Sequence, residues 1–76
     1  MNILFLGNNG ISEISTLSGL NQLTYLYLEN NNITTGVADL VTLTNAEYIF
    51  LYHNPGIPSE ELATLVNALG VDMVKY

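Results

Sequence analysis

Apolar residues run along the chain in two rhythms. Leu4 and Leu6 alternate with Ile3 and Phe5, Leu26 and Leu28 with Tyr25 and Tyr27, and Ile49 and Leu51 with Tyr48 and Phe50. A period of two marks a strand, whose successive side chains point to opposite faces. Between these stretches Ile14, Leu17, Leu20 and Leu23, and later Val37, Leu40, Leu43 and Ala46, recur at every third residue. That spacing suits a 3₁₀ turn or irregular coil. The two rhythms repeat together. A shift of 22 places Met1, Leu4, Leu6, Asn9 and Ile11 on Leu23, Leu26, Leu28, Asn31 and Ile33, and a shift of 23 carries Leu26, Leu28 and Asn31 to Ile49, Leu51 and Asn54. The extra residue falls in Thr34-Thr35-Gly36. Such a period predicts a solenoid in which each turn is a strand, a bend at the Asn and a return along the far side. Strands of successive turns pair in parallel, and the inward Leu, Ile and Val positions stack on those of the next turn. At the bend the backbone leaves the sheet, and a buried amide can both donate to and accept from the groups that lose ladder partners. Asn9, Asn31 and Asn54 are therefore expected to form a structural ladder.

After Asn54 the rhythm changes. Pro58-Ser59-Glu60-Glu61 reads as a helix start, with Ser59 as N-cap and two carboxylates facing the positive helix end. Leu62, Leu65, Val66 and Leu69 then form one apolar helical face, and Gly70 supplies a stop. The pattern predicts a helix over about 59–69 and a short last strand over 71–75. Residues 58–76 thus read as a C-terminal cap over a repeat region at 1–57, divided into turns 1–22, 23–45 and a partial 46–57.

The stretch Leu23-Thr-Tyr-Leu-Tyr-Leu-Glu-Asn-Asn-Asn-Ile33 resembles the signature of the leucine-rich repeat family. The segment from Ile11 to Gln22 is similar to the convex half of the 22-residue repeats of bacterial internalins. The chain departs from that pattern in its longer second turn, in Asn54-Pro55-Gly56-Ile57, and in Ala46 where Leu is usual. The resemblance implies an α/β solenoid wound as a right-handed superhelix. About three short parallel strands would line the concave side, irregular or 3₁₀ segments the convex side, and a helix would cap the C-terminal end. It further implies protein or peptide binding on the concave face, and an exported or cell-surface setting. Met1–Leu6 does not itself read as a signal peptide, since it has no positive flank and no small-residue cleavage site.

The outward strand positions are rich in aromatic residues. Turn by turn they give Ile3, Phe5, Gly7 and Asn8, then Tyr25, Tyr27, Glu29 and Asn30, then Tyr48, Phe50, Tyr52 and His53. Aromatic rings bring large contact area at small entropic cost, and Tyr adds a polar tip, as at interface centres. Phe5, Tyr25, Tyr27, Glu29, Tyr48, Phe50, Tyr52 and His53 are therefore the candidate partner-binding residues. The same residue types also suit strands and stack in columns that stabilise a sheet. Glu29 and Glu47 make the face mildly acidic and favour a neutral or basic partner.

Composition narrows the choice further. The 76 residues include 13 Leu and 10 Asn, 11% are charged, and one Lys stands against seven acidic residues for a net charge of −6. One Lys and no Arg cannot neutralise a row of phosphates, so nucleic acid is excluded as a partner, and anionic membrane surfaces with it. No apolar run approaches the roughly 20 residues of a membrane span. The absence of Cys excludes disulfides and Cys-based metal or catalytic sites. His53 has no Asp or Glu spaced to organise it with a Ser, and Glu29-Asn30-Asn31-Asn32 lacks the carboxylates of a calcium loop. Gly7-Asn-Asn-Gly10 is not the glycine fingerprint of a dinucleotide site. No enzyme, metal or cofactor is expected. The first turn lacks a capping element of its own, which predicts either a longer solenoid upstream or self-association, most simply as a two-fold dimer.

Overall fold

The computed structural model describes residues 2–76, so Met1, which the repeat places on its first inward position, lies outside the described residues. Four strands form one parallel sheet in the order of the chain: β1 at Asn2–Phe5, β2 at Leu23–Tyr27, β3 at Tyr48–Phe50 and β4 at Val74–Lys75. The register follows the repeat, with Ile3 opposite Tyr25 and Phe5 opposite Tyr27, then Tyr25 opposite Tyr48 and Tyr27 opposite Phe50. The ladder runs on past the strand ends. Leu6 N–H donates to Tyr27 C=O at 2.8 Å, and Leu28 N–H to Phe50 C=O at 2.9 Å.

The returns are built by hydrogen bonds between the apolar residues themselves. Leu17, Leu20 and Leu23 each donate an N–H to the carbonyl three residues before, of Ile14, Leu17 and Leu20. Leu40, Leu43 and Ala46 repeat the series on Val37, Leu40 and Leu43. These bonds define 3₁₀ helices at Ser15–Gly19 and Ala38–Thr42. A three-residue spacing keeps one side of such a helix inward. Leu26, Leu28, Ile33, Val37, Leu40, Leu43, Ile49 and Leu65 are wholly buried, each worth roughly 1.5–3 kcal/mol relative to exposure.

The inserted segment docks on the first turn. Thr34 and Thr35 N–H both donate to Ser12 C=O, and Ile14 N–H donates to Thr35 C=O at 3.2 Å. Gly36 has φ +95°, and a Cβ there would collide with the Ser15 backbone nitrogen. Only glycine fits this left-handed close approach.

Asn31 and Asn54 tie each turn to the one before. Asn31 Oδ1 accepts from the N–H of Asn9 at 2.9 Å and of Ile11 at 3.0 Å, while Nδ2 donates to the carbonyls of Leu6 and Leu28, each at 2.9 Å. Asn54 accepts from Ile33 N–H at 3.2 Å and donates to Leu28 and Leu51 carbonyls. Asn9 sits exposed in the outer turn and is joined to the ladder through its backbone N–H.

The chain closes with α1 at Ser59–Leu69, which packs on the second 3₁₀ helix and occupies the place that a 3₁₀ return holds in earlier turns. Glu61 Oε1 accepts from Ala38 N–H at 3.3 Å across that contact. The N-cap is Pro58, not Ser59: Pro58 is extended, its carbonyl takes the first helical N–H groups, and Ser59 begins the helix without a side-chain capping bond. The last strand is also shorter than the alternation over 71–75 predicts. Met73 and Val74 N–H both return to Gly70 C=O, which holds 71–73 in a turn and leaves only Val74–Lys75 to pair with β3. With β4 the sheet has four strands rather than three. Among the described residues no helix is long and apolar enough to cross a membrane.

Candidate partner-binding face

The inward side of the sheet is closed by the core, and its outward side is open. Because the strands pair in register, outward side chains at matched positions of successive strands fall into columns across the sheet. The central column is Phe5–Tyr27–Phe50. Its rings stack at 4.6 Å and 4.7 Å between centroids, with planes 17° and 10° apart. The second column is Ile3–Tyr25–Tyr48, with the two Tyr rings 5.9 Å apart. Tyr48 also lies 5.7 Å from Phe50, and Tyr52 lies 6.3 Å from it in a tilted arrangement. Phe5, Tyr25, Tyr27, Tyr48, Phe50 and Tyr52 therefore form one continuous aromatic surface. Each such pair is worth roughly 0.5–1.5 kcal/mol beyond its buried area. The surface nonetheless stays open to water at its margins, with Phe5 70% exposed and Tyr52 44% exposed.

The polar members are placed differently from one another. Glu29 sits beside the central column and leans over Gly7 of the neighbouring turn, so that a Cβ at Gly7 would lie 2.7 Å from Oε1. That oxygen is buried and meets no hydrogen-bond donor among the described residues. Glu47 stands beside Tyr25 and pushes its phenol pKa up, first through a hydrogen bond and then through its charge. His53 is exposed, and its backbone is left-handed, with φ +60°. Asn8 and Asn30, its counterparts in the earlier turns, share that geometry, at φ +62° and +57°. Asn and His enter this region more readily than most side chains. The position is thus occupied for a backbone reason, and the side chain is free to point into solvent.

One member of the face is absent from the outward residues read off the repeat. Lys75 pairs in register with Phe50, and its Nζ stands 5.4 Å above the Tyr48 ring. A cation over an aromatic ring is attracted by the ring's negative face. A two-residue strand has too little alternation to reveal its register in the sequence, so nothing there points to this contact. Among the described residues no three His, Asp or Glu side chains gather as a metal site.

The chain's periodicity is matched by a family model described as leucine-rich repeats in two copies, over residues 2–45. No curated protein and no solved structure matches the chain. Leucine-rich repeats generally serve as protein-interaction modules and are typically non-enzymatic. With more than half of its length covered by that model, and with strand, 3₁₀ return and buried Asn recurring in its turns, the chain belongs to the leucine-rich repeat family.

Proposed function

We propose that the chain is a non-enzymatic module that binds a protein or peptide on its aromatic sheet face. The contiguous stack from Phe5 through Tyr27 to Phe50, flanked by Tyr25, Tyr48 and Tyr52 and open at both margins, carries this reading. Rings already held by neighbours lose little freedom on contact, which favours affinity. The face is the concave side of a right-handed superhelix in this reading. The right-handed preference of crossovers between parallel strands supports that winding. Selection of displayed random peptides on the wild-type chain tests the proposal. Selected peptides are expected to lose binding when Tyr27 and Phe50 are both replaced by Ala. Failure to enrich any peptide, or equal binding to the double variant, overturns it.

A second reading is self-association, favoured by the outer side of the first turn. Ile3 and Leu20 are each 45% exposed there and border a cleft of about 310 Å³ together with Leu4 and Leu23. The edge of β1 is a template for a further strand. A two-fold dimer through this edge is expected to sediment as twice the chain mass at micromolar concentration and to dissociate on Leu20→Glu. If Tyr27→Ala with Phe50→Ala dissociates it instead, the aromatic face is the assembly surface. A monomer at that concentration excludes both forms.

A further inference from the structure

The aromatic face has a carboxylate with one unpaired oxygen at one margin and a cation set on a ring at the other. Lys75, the only Lys or Arg in the sequence, is already placed over Tyr48 on the β4 side. Glu29 lies on the opposite side of the stack, leaning toward β1. Gly7, with no side chain, opens the notch into which its carboxyl group folds. There Oε1 is buried against the strand with no donor among the described residues. Two residues before that notch, at the end of β1, stands Phe5, whose ring stacks on Tyr27 on one side and is 70% exposed. A π surface open to solvent and a carboxylate with one unpaired oxygen thus lie two positions apart along the first turn, at one corner of a chain carrying net charge −6.

From this corner we infer that the face reads an arginine side chain on an extended segment of its protein partner. The inference rests on the aromatic face being the binding surface, and it names what that surface selects. A guanidinium is flat, so it can lie on the open side of Phe5 as the next rung of a ladder whose rungs are 4.6 and 4.7 Å apart. Its N–H groups form a fork that matches a carboxylate. Rotation of the Glu29 side chain swings Oε1 out of the Gly7 notch and exchanges an unpaired buried oxygen for charge-assisted bonds. The free state leaves that oxygen poorly solvated, so the exchange loses little and gains a paired charge. The contact between Lys75 and Tyr48 is the internal counterpart: the same aromatic surface already holds a cation on its other side. A lysine ammonium at the Phe5 corner would satisfy the charge but not the flat stacking, so arginine is the better fit.

The test uses the full chain and three blocked tripeptides of the form acetyl-Thr-X-Thr-amide, with X as arginine, lysine or citrulline, the neutral shape-mimic of arginine. Binding is followed by amide and aromatic NMR shifts. The arginine peptide is expected to move the signals of Gly7, Glu29 and Phe5 saturably, and to bind about tenfold more tightly than the citrulline peptide at low salt. The lysine peptide falls between them. Glu29→Gln is expected to bring the arginine peptide down to the citrulline level while leaving citrulline binding unchanged. Affinity for the arginine peptide should also weaken as salt rises. Equal binding of the arginine and citrulline peptides, no saturable shift with the arginine peptide, or no effect of Glu29→Gln each overturns the arginine site. Those results leave the interaction module standing, because that reading falls only if display enriches no peptide or if the selected peptides ignore Tyr27 and Phe50.

Discussion

The first and second turns carry the same pattern and occupy different surroundings. In the second turn Leu26, Leu28 and Ile33 are wholly buried; in the first, the matching Leu4, Leu6 and Ile11 are only partly covered. Leu40 and Leu43 are buried, whereas Leu17 is partly covered and Leu20 is 45% exposed. Asn31 is buried and hydrogen-bonded to two turns, while its counterpart Asn9 is exposed. The second turn has neighbours on both sides, with β1 and β3 flanking its strand and the first 3₁₀ helix and α1 flanking its return. Among the described residues the first turn has a neighbour on one side. Each turn's sequence decides which side chains point inward, and the stack decides whether they are dry. That is the nearest-neighbour logic of a solenoid.

The largest expected effect tests this directly. Leu28→Ala is expected to lower unfolding stability by about 2–5 kcal/mol, the usual range for an enclosed Leu. Leu6→Ala at the matching position should cost about half as much or less, since its side chain keeps part of its water in the folded state. Urea unfolding followed by circular dichroism measures both. Equal losses would break the comparison, and losses that equalise only at high protein concentration would show a second copy covering the first turn. The Asn pair comes next. Asn31→Ala strands the N–H groups of Asn9 and Ile11 and the carbonyl of Leu6, while Leu28 keeps its bond from Asn54, so a loss of about 1–3 kcal/mol is expected. Asn9→Ala should stay within about 0.5 kcal/mol of wild type.

The same distinction explains what could be read from the residues alone. The period, the inward Leu columns, the outward aromatic columns and the amphipathic helix are local patterns, so the sequence alone puts Tyr25, Tyr27, Tyr48 and Phe50 on one face. The contacts that a neighbouring turn supplies had no such signal. Nothing in Gly7 or Glu29 taken singly shows that one side chain folds over the other, and the two-residue β4 left Lys75 without a visible register. Pro58 displaced Ser59 as the cap because its fixed, extended geometry ends the preceding loop one residue earlier. The Asn8, Asn30 and His53 column shows the opposite failure. The residues were visible, and their outward position too, but not the left-handed backbone that selects them.

That column supplies a smaller test, and one that separates the turns again. A β-branched side chain in the left-handed region costs roughly 1–2 kcal/mol. His53→Val and Asn30→Val should each lower the thermal midpoint, while His53→Asn and His53→Gly should hold or raise it. A larger loss at Asn30, inside the stack, than at His53 would extend the contrast between inner and outer turns to the backbone. No loss at either position would show that the bend is set by its neighbours rather than by its own residue.

The smallest effect concerns the seam where the first turn meets the inserted segment of the second. Glu13 lies opposite Thr35 there, and its carboxylate accepts from the Ser15 hydroxyl at 2.9 Å and from the Ser15 N–H. Those bonds, the hydroxyl first, hold the Glu13 pKa below the ordinary carboxylate value, against a lesser opposing contribution from desolvation. A carboxyl whose folded pKa is lowered favours the folded state above its unfolded pKa. The contribution disappears as pH falls through the folded value. The group is fully exposed, so the effect on stability is slight, but its NMR titration is sensitive. Ser15→Ala is expected to move the Glu13 midpoint upward. An unchanged midpoint would mean that the seam bonds do not hold in solution and that the first turn is looser than its hydrogen bonds to Thr34 and Thr35 require.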